Sequence, residues 1–344
     1  MRLNEIDPLR DCRWIDLTEQ CPRSSLFHTP RWLESLRGTY GYEPVVYTDA
    51  CPRELLRNAL LFRRVNSWLT GRRLVSLPFS DHCEPLVEAP EALVSLLESL
   101  KPLAGKECRY IELRPRGTAF DVEGFVTSSV FWSHSIDLRP ELPEIFGRLH
   151  KNHAQRAIRK AARSGLTLEV GRSASLLADF FILHTMARRR HGAPVQPFRW
   201  FRNLVASFGD QLTIYMARQE RQPAAAILTV AHKKSLVFKY GGSNRAYNRY
   251  GGTPHLFWQA IKDAKAQGLA DFDLGRSDVD NEGLLAFKDH LGARRARLEY
   301  YRYAVQPLDS GRQRWVAALA KALYSRAPKS IQTRLGGRLY RHFG

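Results

Sequence analysis

"DLGRSDVDNEGLLAFKDHLGA", Asp273 to Ala293, decides how the rest of the chain is read. With Phe272 ahead of it, the opening "FDLGRS" alternates like a β-strand. A turn carrying Asp278, Asp280 and Glu282 follows, and a short amphipathic segment then places Lys288 directly behind Phe287. Strand, acidic turn and short helix describe an α/β unit. The carboxylates stand out because the chain is strongly basic, with 53 Lys and Arg against 34 Asp and Glu and a net charge of +19. Two readings of them stand: a solvated turn, or groups that orient or deprotonate an incoming amine.

At 344 residues the chain is long enough for two domains, each burying its own core. An apolar fraction of 44% and a charged fraction of 25% are those of a globular protein. The positive excess implies a polyanionic partner: nucleic acid, an acidic membrane face or a phosphate-bearing substrate. Five cysteines form no CxxC pair, which fits free thiols in a reducing compartment. A metal centre is not expected, since His82-Cys83 alone lacks ligand number and spacing. The N-terminal "MRLNEIDPLRD" has no apolar core of a signal peptide, and no run of about 18 apolar residues occurs, so a soluble cytoplasmic protein is expected.

Outward from the opening stretch, the same order of elements appears twice. In the first half, "HTPRWLESLRGTYG" reads as a helix with Thr29 as cap and Pro30 at its first position. The strands "EPVVYTD", "NALLFRRVN" and "RRLVSLPF" follow, the last two joined by a turn at Thr70-Gly71. The helix "PEALVSLLESLKPLAG" and the strand "CRYIELRP" close this half, and "TSSVFWSHSIDL" adds another strand. In the second half come the helix "PFRWFRNLVASFGD", the hairpin "QLTIYMARQE"/"QPAAAILTVAHK" around Glu220-Arg221, and the strand "SLVFKYGGS". The helix "GTPHLFWQAIKDAKAQG", whose apolar face holds Leu256, Phe257, Ala260, Ile261 and Ala264, then leads into the opening strand. The reading is a duplicated α/β topology in two lobes.

Between the halves lies "LPEIFGRLHKNHAQRAIRKAARSG" (142–165). From Arg148 to Arg163 it carries six Lys/Arg, two His and no acid. It reads either as a solvated helix face or as an anion-binding surface, because no carboxylate relieves its self-repulsion. Arg156, Arg159 and Lys160 are the candidate phosphate contacts. The segment 311–344 adds eight Lys/Arg and no acid in two amphipathic stretches. It is expected to form a basic helical tail, either packed on the protein or lying peripherally on an anionic membrane surface.

The chain has no GxGxxG after a strand, no GxxxxGK[ST], no GxSxG and no HExxH, which argues against a dinucleotide oxidoreductase, a P-loop NTPase, a serine hydrolase or a zincin. The Gly-rich "YGGSNRAYNRYGGTP" (240–254) joins a strand to a helix, where backbone N–H groups can hold a phosphate or an acyl carbonyl. A plain Gly-rich turn is the alternative reading.

Taken in order, "LVSLPFSDHCEPLV", "IELRP", "RAIRKAARSGLTLEV", "MARRRHGAPV", "VFKYGGSN", "FDLGRS" and "GLLAFKDHLGARRARLEYYRY" resemble the Fem family, the peptidoglycan interpeptide-bridge aminoacyltransferases. The likeness is strongest to the FemAB-like branch linked to exopolysaccharide and cell-envelope loci, and it covers about residues 20–305. It implies two tandem GNAT-like lobes, 1–140 and 141–306, followed by the basic tail 307–344. It also implies amide formation from an activated ester. By this resemblance Phe287-Lys288 matches the "FK" that brings a lysine to the reacting centre, where an ammonium offsets charge developing on the carbonyl oxygen. Asp273 joins Lys288 as a catalytic candidate. Arg276, Asp81, Arg114, Tyr240 and Ser243 are candidate substrate contacts. Gly251, Gly252 and Thr253 form the donor loop; Asn248-x-x-Gly251-x-Thr253 departs from the Arg/Gln-x-x-Gly-x-Gly/Ala of coenzyme A-binding GNAT proteins.

No tightly bound cofactor is implied; aminoacyl-tRNA or acyl-CoA is the donor co-substrate, with aminoacyl-tRNA favoured. The expected partner is tRNA or a phosphate-bearing cell-envelope precursor, and the expected place is the cytoplasm, either free or at the inner face of the membrane. An acyl-CoA-dependent N-acetyltransferase and a non-catalytic basic binding protein are the alternatives.

Overall fold

The computed structural model describes residues 3–67, 71–117 and 121–306, which divide into two compact units: 3–130 with 298–306, and 131–297. The basic tail read at 307–344 lies outside the described residues, as does Thr70 of the turn read at 70–71. In chain order the elements are β1 (Asn4–Ile6), α1 (Cys12–Gln20), α2 (Pro30–Tyr40), β2 (Pro44–Thr48), β3 (Ala59–Ser67), β4 (Gly71–Val75), α3 (Pro90–Leu100), β5 (Ile111–Leu113) and β6 (Val126–Asp137). After these come α4 (Leu142–Arg148), a π-helical turn (Lys151–Gln155), α5 (Arg156–Arg163), β7 (Thr167–Gly171), α6 (Ala174–Arg190) and α7 (Phe198–Phe208). The chain continues with β8 (Leu212–Gln219), β9 (Gln222–His232), β10 (Ser235–Ser243), α8 (Gly252–Ala266), β11 (Asp271–Asp278), α9 (Glu282–His290) and β12 (Arg294–Tyr303).

The duplicated order read from the sequence is present in the pairing. In the first unit β1–β2, β2–β3 and β3–β4 are antiparallel and β4–β5 is parallel. In the second, β7–β8, β8–β9 and β9–β10 are antiparallel and β10–β11 is parallel. Each parallel step is bridged by a helix, α3 or α8, because parallel neighbours need a long crossover connection. The ends differ from the sequence reading. β5 takes its outer neighbour from β12, the last strand among the described residues, pairing with Tyr301–Tyr303, whereas β11 pairs with β6. Residues 298–306, read as part of the second lobe, thus belong to the first unit, and 131–140 belong to the second.

Local chemistry explains the elements. Thr29 caps α2 by accepting from the Trp32 N–H, and Pro30 occupies a first-turn position that needs no N–H partner. Glu220 and Arg221 both have positive φ, 49° and 69°, the backbone of a tight hairpin turn whose twist matches its strands. Leu256, Phe257, Ala260, Ile261 and Ala264 of α8 are all buried in the second unit's core with Phe272 and Leu274 of β11. Burying each such Leu or Phe contributes about 1.5–3 kcal/mol. The first unit has a separate core in which Leu93, Leu96, Leu97 and Leu100 of α3 pack on Phe62, Ile111 and Leu113. The basic segment 142–165 is not one helix. A π-helical turn interrupts it, and Gln155, buried there, donates to the carbonyls of Phe146 and Leu149 left open by the break. Among the described residues no helix is long and apolar enough to cross a membrane.

Candidate functional site

The opening strand carries one of the irregularities of the second unit. The β6–β11 register shifts between Asp273 and Arg276, and Gly275 takes φ +71° there. Two side chains hold this bulge. Asp273, buried, accepts the Gly275 N–H at 2.7 Å. Lys288 of α9 is only 2% exposed, and its Nζ donates to the carbonyls of Gly275 at 2.9 Å and Arg276 at 3.1 Å. A bulge frees carbonyls from the ladder, and a buried ammonium can serve two of them at once. The sequence reading put Lys288 and Asp273 at a reacting centre; the structure puts both on one bulge. The Arg276 guanidinium, expected on a substrate phosphate, stacks on Phe131 at 4.1 Å from the ring centre.

His134, which the sequence reading did not select, lies on β6 between the partners of Asp273 and Arg276 and is fully buried. Its Nε2 is 3.9 Å from the Asp289 carboxylate. Burial, and then the Lys288 charge, push its pKa down to about 4, so it is neutral at pH 7. Asp278, Asp280 and Glu282 are exposed.

A second feature joins two segments that sequence reasoning treated separately. An open cleft of about 480 Å³ is lined by Arg156 and Lys160 of α5, Asn248 and Gly251 of the Gly-rich segment, and Phe287 and His290 of α9. Arg156 and Lys160 are four apart and share a helix face, both exposed. Gly251 is the pivot: it has φ +76°, and a Cβ there would lie 2.4 Å from the Ala157 carbonyl oxygen. Only glycine lets the α8 N-terminus approach α5 so closely. No side chain caps α8, so its first-turn N–H groups have no side-chain acceptor, and its N-cap Gly251 lies on the cleft wall. Burial, followed by the charges of His153 and His150, lowers the pKa of His290 on the cleft wall.

The other candidates lie elsewhere. Arg159 turns to Gln155 Oε1 at 3.1 Å and the Phe146 ring, away from the cleft wall. Gly252 is buried against Ala217 and Ala225, and Thr253 is half-buried without lining the cleft. Tyr240 accepts the Trp200 indole N–H at 2.8 Å and packs on His184 and Phe201; the Ser243 carbonyl accepts from Arg190 at 3.2 Å.

In the first unit Arg114, expected to contact substrate, has partners within the protein. It is tied to Glu112 at 2.8 Å, to the Leu77 carbonyl at 2.9 Å and to the face of Tyr300. Asp81 lends its backbone carbonyl to the Tyr300 hydroxyl at 2.6 Å.

Residues 148–289, which hold most of the cleft and the bulged strand β11, match the domain family described as "Acetyltransferase (GNAT) domain". The UDP-N-acetylmuramoylpentapeptide-lysine N(6)-alanyltransferase of Weissella viridescens is 26% identical over 160 residues. That match covers 44% of this chain and 46% of the relative, so the chain spans about half the length of the protein it matches. Among solved structures, FemX superposes with a TM-score of 0.68 at 13% identity, over 93% of this chain and 100% of that one. L-PGS from Bacillus licheniformis gives 0.56 at 12% identity, over 92% and 97%. A tandem GNAT protein from the clavulanic acid biosynthesis pathway gives 0.54 at 13% identity, over 90% and 100%. At these identities the structural likeness speaks to the fold, which is the tandem GNAT fold. Domain family, sequence relative and fold point the same way: residues 148–289 match a GNAT domain, part of the chain is similar to an alanyltransferase, and the fold is that of FemX.

Proposed function

We propose that the protein is an N-acyltransferase of the aminoacyl type, which joins an activated aminoacyl ester to an amine on a peptidoglycan or other cell-envelope precursor. The relative from Weissella viridescens is named as an alanyltransferase acting on a UDP-linked muramoyl pentapeptide, and that supplies the substrate class. The observation that carries the reading is the shared cleft: Arg156 and Lys160 stand on one wall, and Gly251 at the uncapped α8 N-terminus stands on another. Two cations and a helix N-terminus suit the phosphates of an anionic donor. Aminoacyl-tRNA is the donor favoured here. Asn248-x-x-Gly251-x-Thr253 lacks the Arg/Gln and the last glycine of a coenzyme A loop, whereas the acid-free face of α5 suits a polynucleotide backbone.

In this reading the reacting carbonyl lies near the bulge. Lys288, held on the Gly275 and Arg276 carbonyls, fixes the bulge and contributes positive charge where the tetrahedral oxygen becomes negative. His134 is neutral and buried beside it. As the C–N bond forms, the C–O bond of the ester breaks, and the proton lost by the attacking amine ends on the departing oxygen, which leaves as the hydroxyl of the donor.

The test is a transfer assay. Full-length protein is incubated with UDP-N-acetylmuramoyl pentapeptide and either alanyl-tRNA or acetyl-CoA, and the products are analysed by mass spectrometry. The expected product is the precursor bearing one amide-linked alanine from alanyl-tRNA. Acetylated precursor alone would shift the donor to acyl-CoA. No product with either donor would refute a transferase acting on this precursor.

A further inference from the structure

Three histidines meet beside the cleft, and two of them, His153 and His290, line it. His150 and His153 flank the start of the π-helical turn, and His290 ends α9. One ring nitrogen from each lies within 4.8 Å of the others. The His153 and His290 rings are stacked, with centres 4.2 Å apart, and His150 stands 4.7 and 4.5 Å from them. We propose that His150, His153 and His290 form a binding site for one divalent transition-metal ion, a centre the sequence reading did not expect.

Three arguments support the assignment. The backbone already fixes both segments: the His150 N–H donates to the His290 carbonyl at 2.9 Å, and a Cβ on Gly292 would lie 3.1 Å from the Arg148 carbonyl, so the two segments touch at the trio and next to it. Three imidazoles form a donor set suited to zinc, cobalt, nickel or copper, and π-helical turns often occur at functional sites. Closure is also short. Tetrahedral zinc–nitrogen bonds of about 2.0–2.1 Å bring the three nitrogens to roughly 3.3 Å apart. His150 and His153 are exposed and can supply that contraction by rotation.

One bond is exchanged on binding. His150 Nδ1 accepts from the Asn152 N–H at 3.2 Å. An ion on Nδ1 takes that lone pair, and an ion on Nε2 leaves Nδ1 protonated, so either choice ends this exposed contact. Three protein ligands leave a fourth position for solvent, and His153 and His290 line the same cleft as Arg156 and Lys160. Those cations oppose a bare dication, so the open position favours an anionic ligand. The ion site itself does not depend on the transferase reading.

Sequence carried a faint signal, the H-x-x-H at 150 and 153, but His290 comes from a distant helix. The test is a titration of chelator-treated full-length protein with cobalt(II) chloride, followed by visible absorption and calorimetry. Wild type is expected to bind one equivalent with the absorption of a nitrogen-ligated tetrahedral ion. H153A and H290A are each expected to bind at least tenfold more weakly, with metal-free melting unchanged in H153A. Cys12 and Cys51 are exposed thiols that also attract cobalt, and they are the same in every variant. Equal affinity in wild type and H153A, or absorption of thiolate type alone, would overturn the site.

Discussion

Lys288 Nζ lies 2.9 Å from the Gly275 carbonyl, joining α9 to the bulge of β11 through a buried ammonium. Removing it strips a charged partner from two carbonyls that have left the strand ladder. Lys288→Ala is expected to destabilise the protein by about 2–4 kcal/mol, combining unmet hydrogen bonds with a cavity. Turnover is expected to fall at least tenfold. Denaturant melts and initial rates on the same samples check both. Unchanged stability with full activity would show that neither the bulge nor the chemistry uses this ammonium.

Gly251 tests how the cleft is built. Gly251→Ala adds a methyl group 2.4 Å from the Ala157 carbonyl at φ +76°, so contact and conformation both oppose it. Gly41→Ala is the control: its φ is +69° with nothing within 4 Å, and only the left-handed backbone cost of about 1–2 kcal/mol applies. Gly251→Ala is expected to lose more stability than Gly41→Ala and to weaken anionic donor binding, whereas Gly41→Ala leaves binding unchanged. Equal losses of stability in the two variants would remove the argument from close approach.

The first unit depends on a buried ion cluster. Glu112 is 5% exposed and faces Arg302 across β5–β12, with Arg302 at 2.6 Å and Arg114 at 2.8 Å. Burial raises its pKa, but the charges of Arg114 and Arg302 outweigh this and hold it below the usual carboxylate value. Glu112→Gln leaves two arginines short of their counter-charge and is expected to cost about 3–5 kcal/mol. A melt unchanged from wild type would mean that solvent already screens this cluster.

Acid sensitivity follows from two buried histidines. His28 donates from Nε2 to the Glu84 carbonyl and accepts the Ser25 N–H at Nδ1, which fixes it as neutral. His184 bonds Gln196 at 2.8 Å. Burial lowers the pKa of each from 6.5 to about 4. The unfolded chain therefore takes up protons below about pH 6.5 that the folded chain refuses until about pH 4. Stability is complete above pH 6.5 and falls as the pH drops through that window, by up to about 3 kcal/mol per histidine. Urea midpoints at pH 7 and pH 4.5 measure this, and a flat profile between them would contradict it.

What the sequence revealed was local. Pro30 after Thr29, the turn at Glu220-Arg221, and the apolar face of α8 each carry their signal within a few residues, and each element formed where it was read. α6 was not read as a helix because "ASLLADFFILHTMARRR" has no clean polar face to set against an apolar one. The exchange of β6 and β12 rests on pairings between strands far apart in the chain, which no local pattern encodes. Site residues divide the same way. Arg156, Lys160 and Gly251 were singled out separately by charge and by glycine content, but their meeting in one cleft needed the packing of α5 on α8. His134 gave no signal at all, since one histidine in a strand looks the same whether it is core or site.

The cleft is tested most directly by equilibrium binding of tRNA to wild type and to the double variant R156E/K160E, over a series of salt concentrations. Taking two phosphate-binding cations off the α5 face should lower affinity at least tenfold at low salt. The salt slope should flatten by about 1.5. Identical affinity and slope in the two proteins would show that α5 is merely solvated and that the donor lies elsewhere.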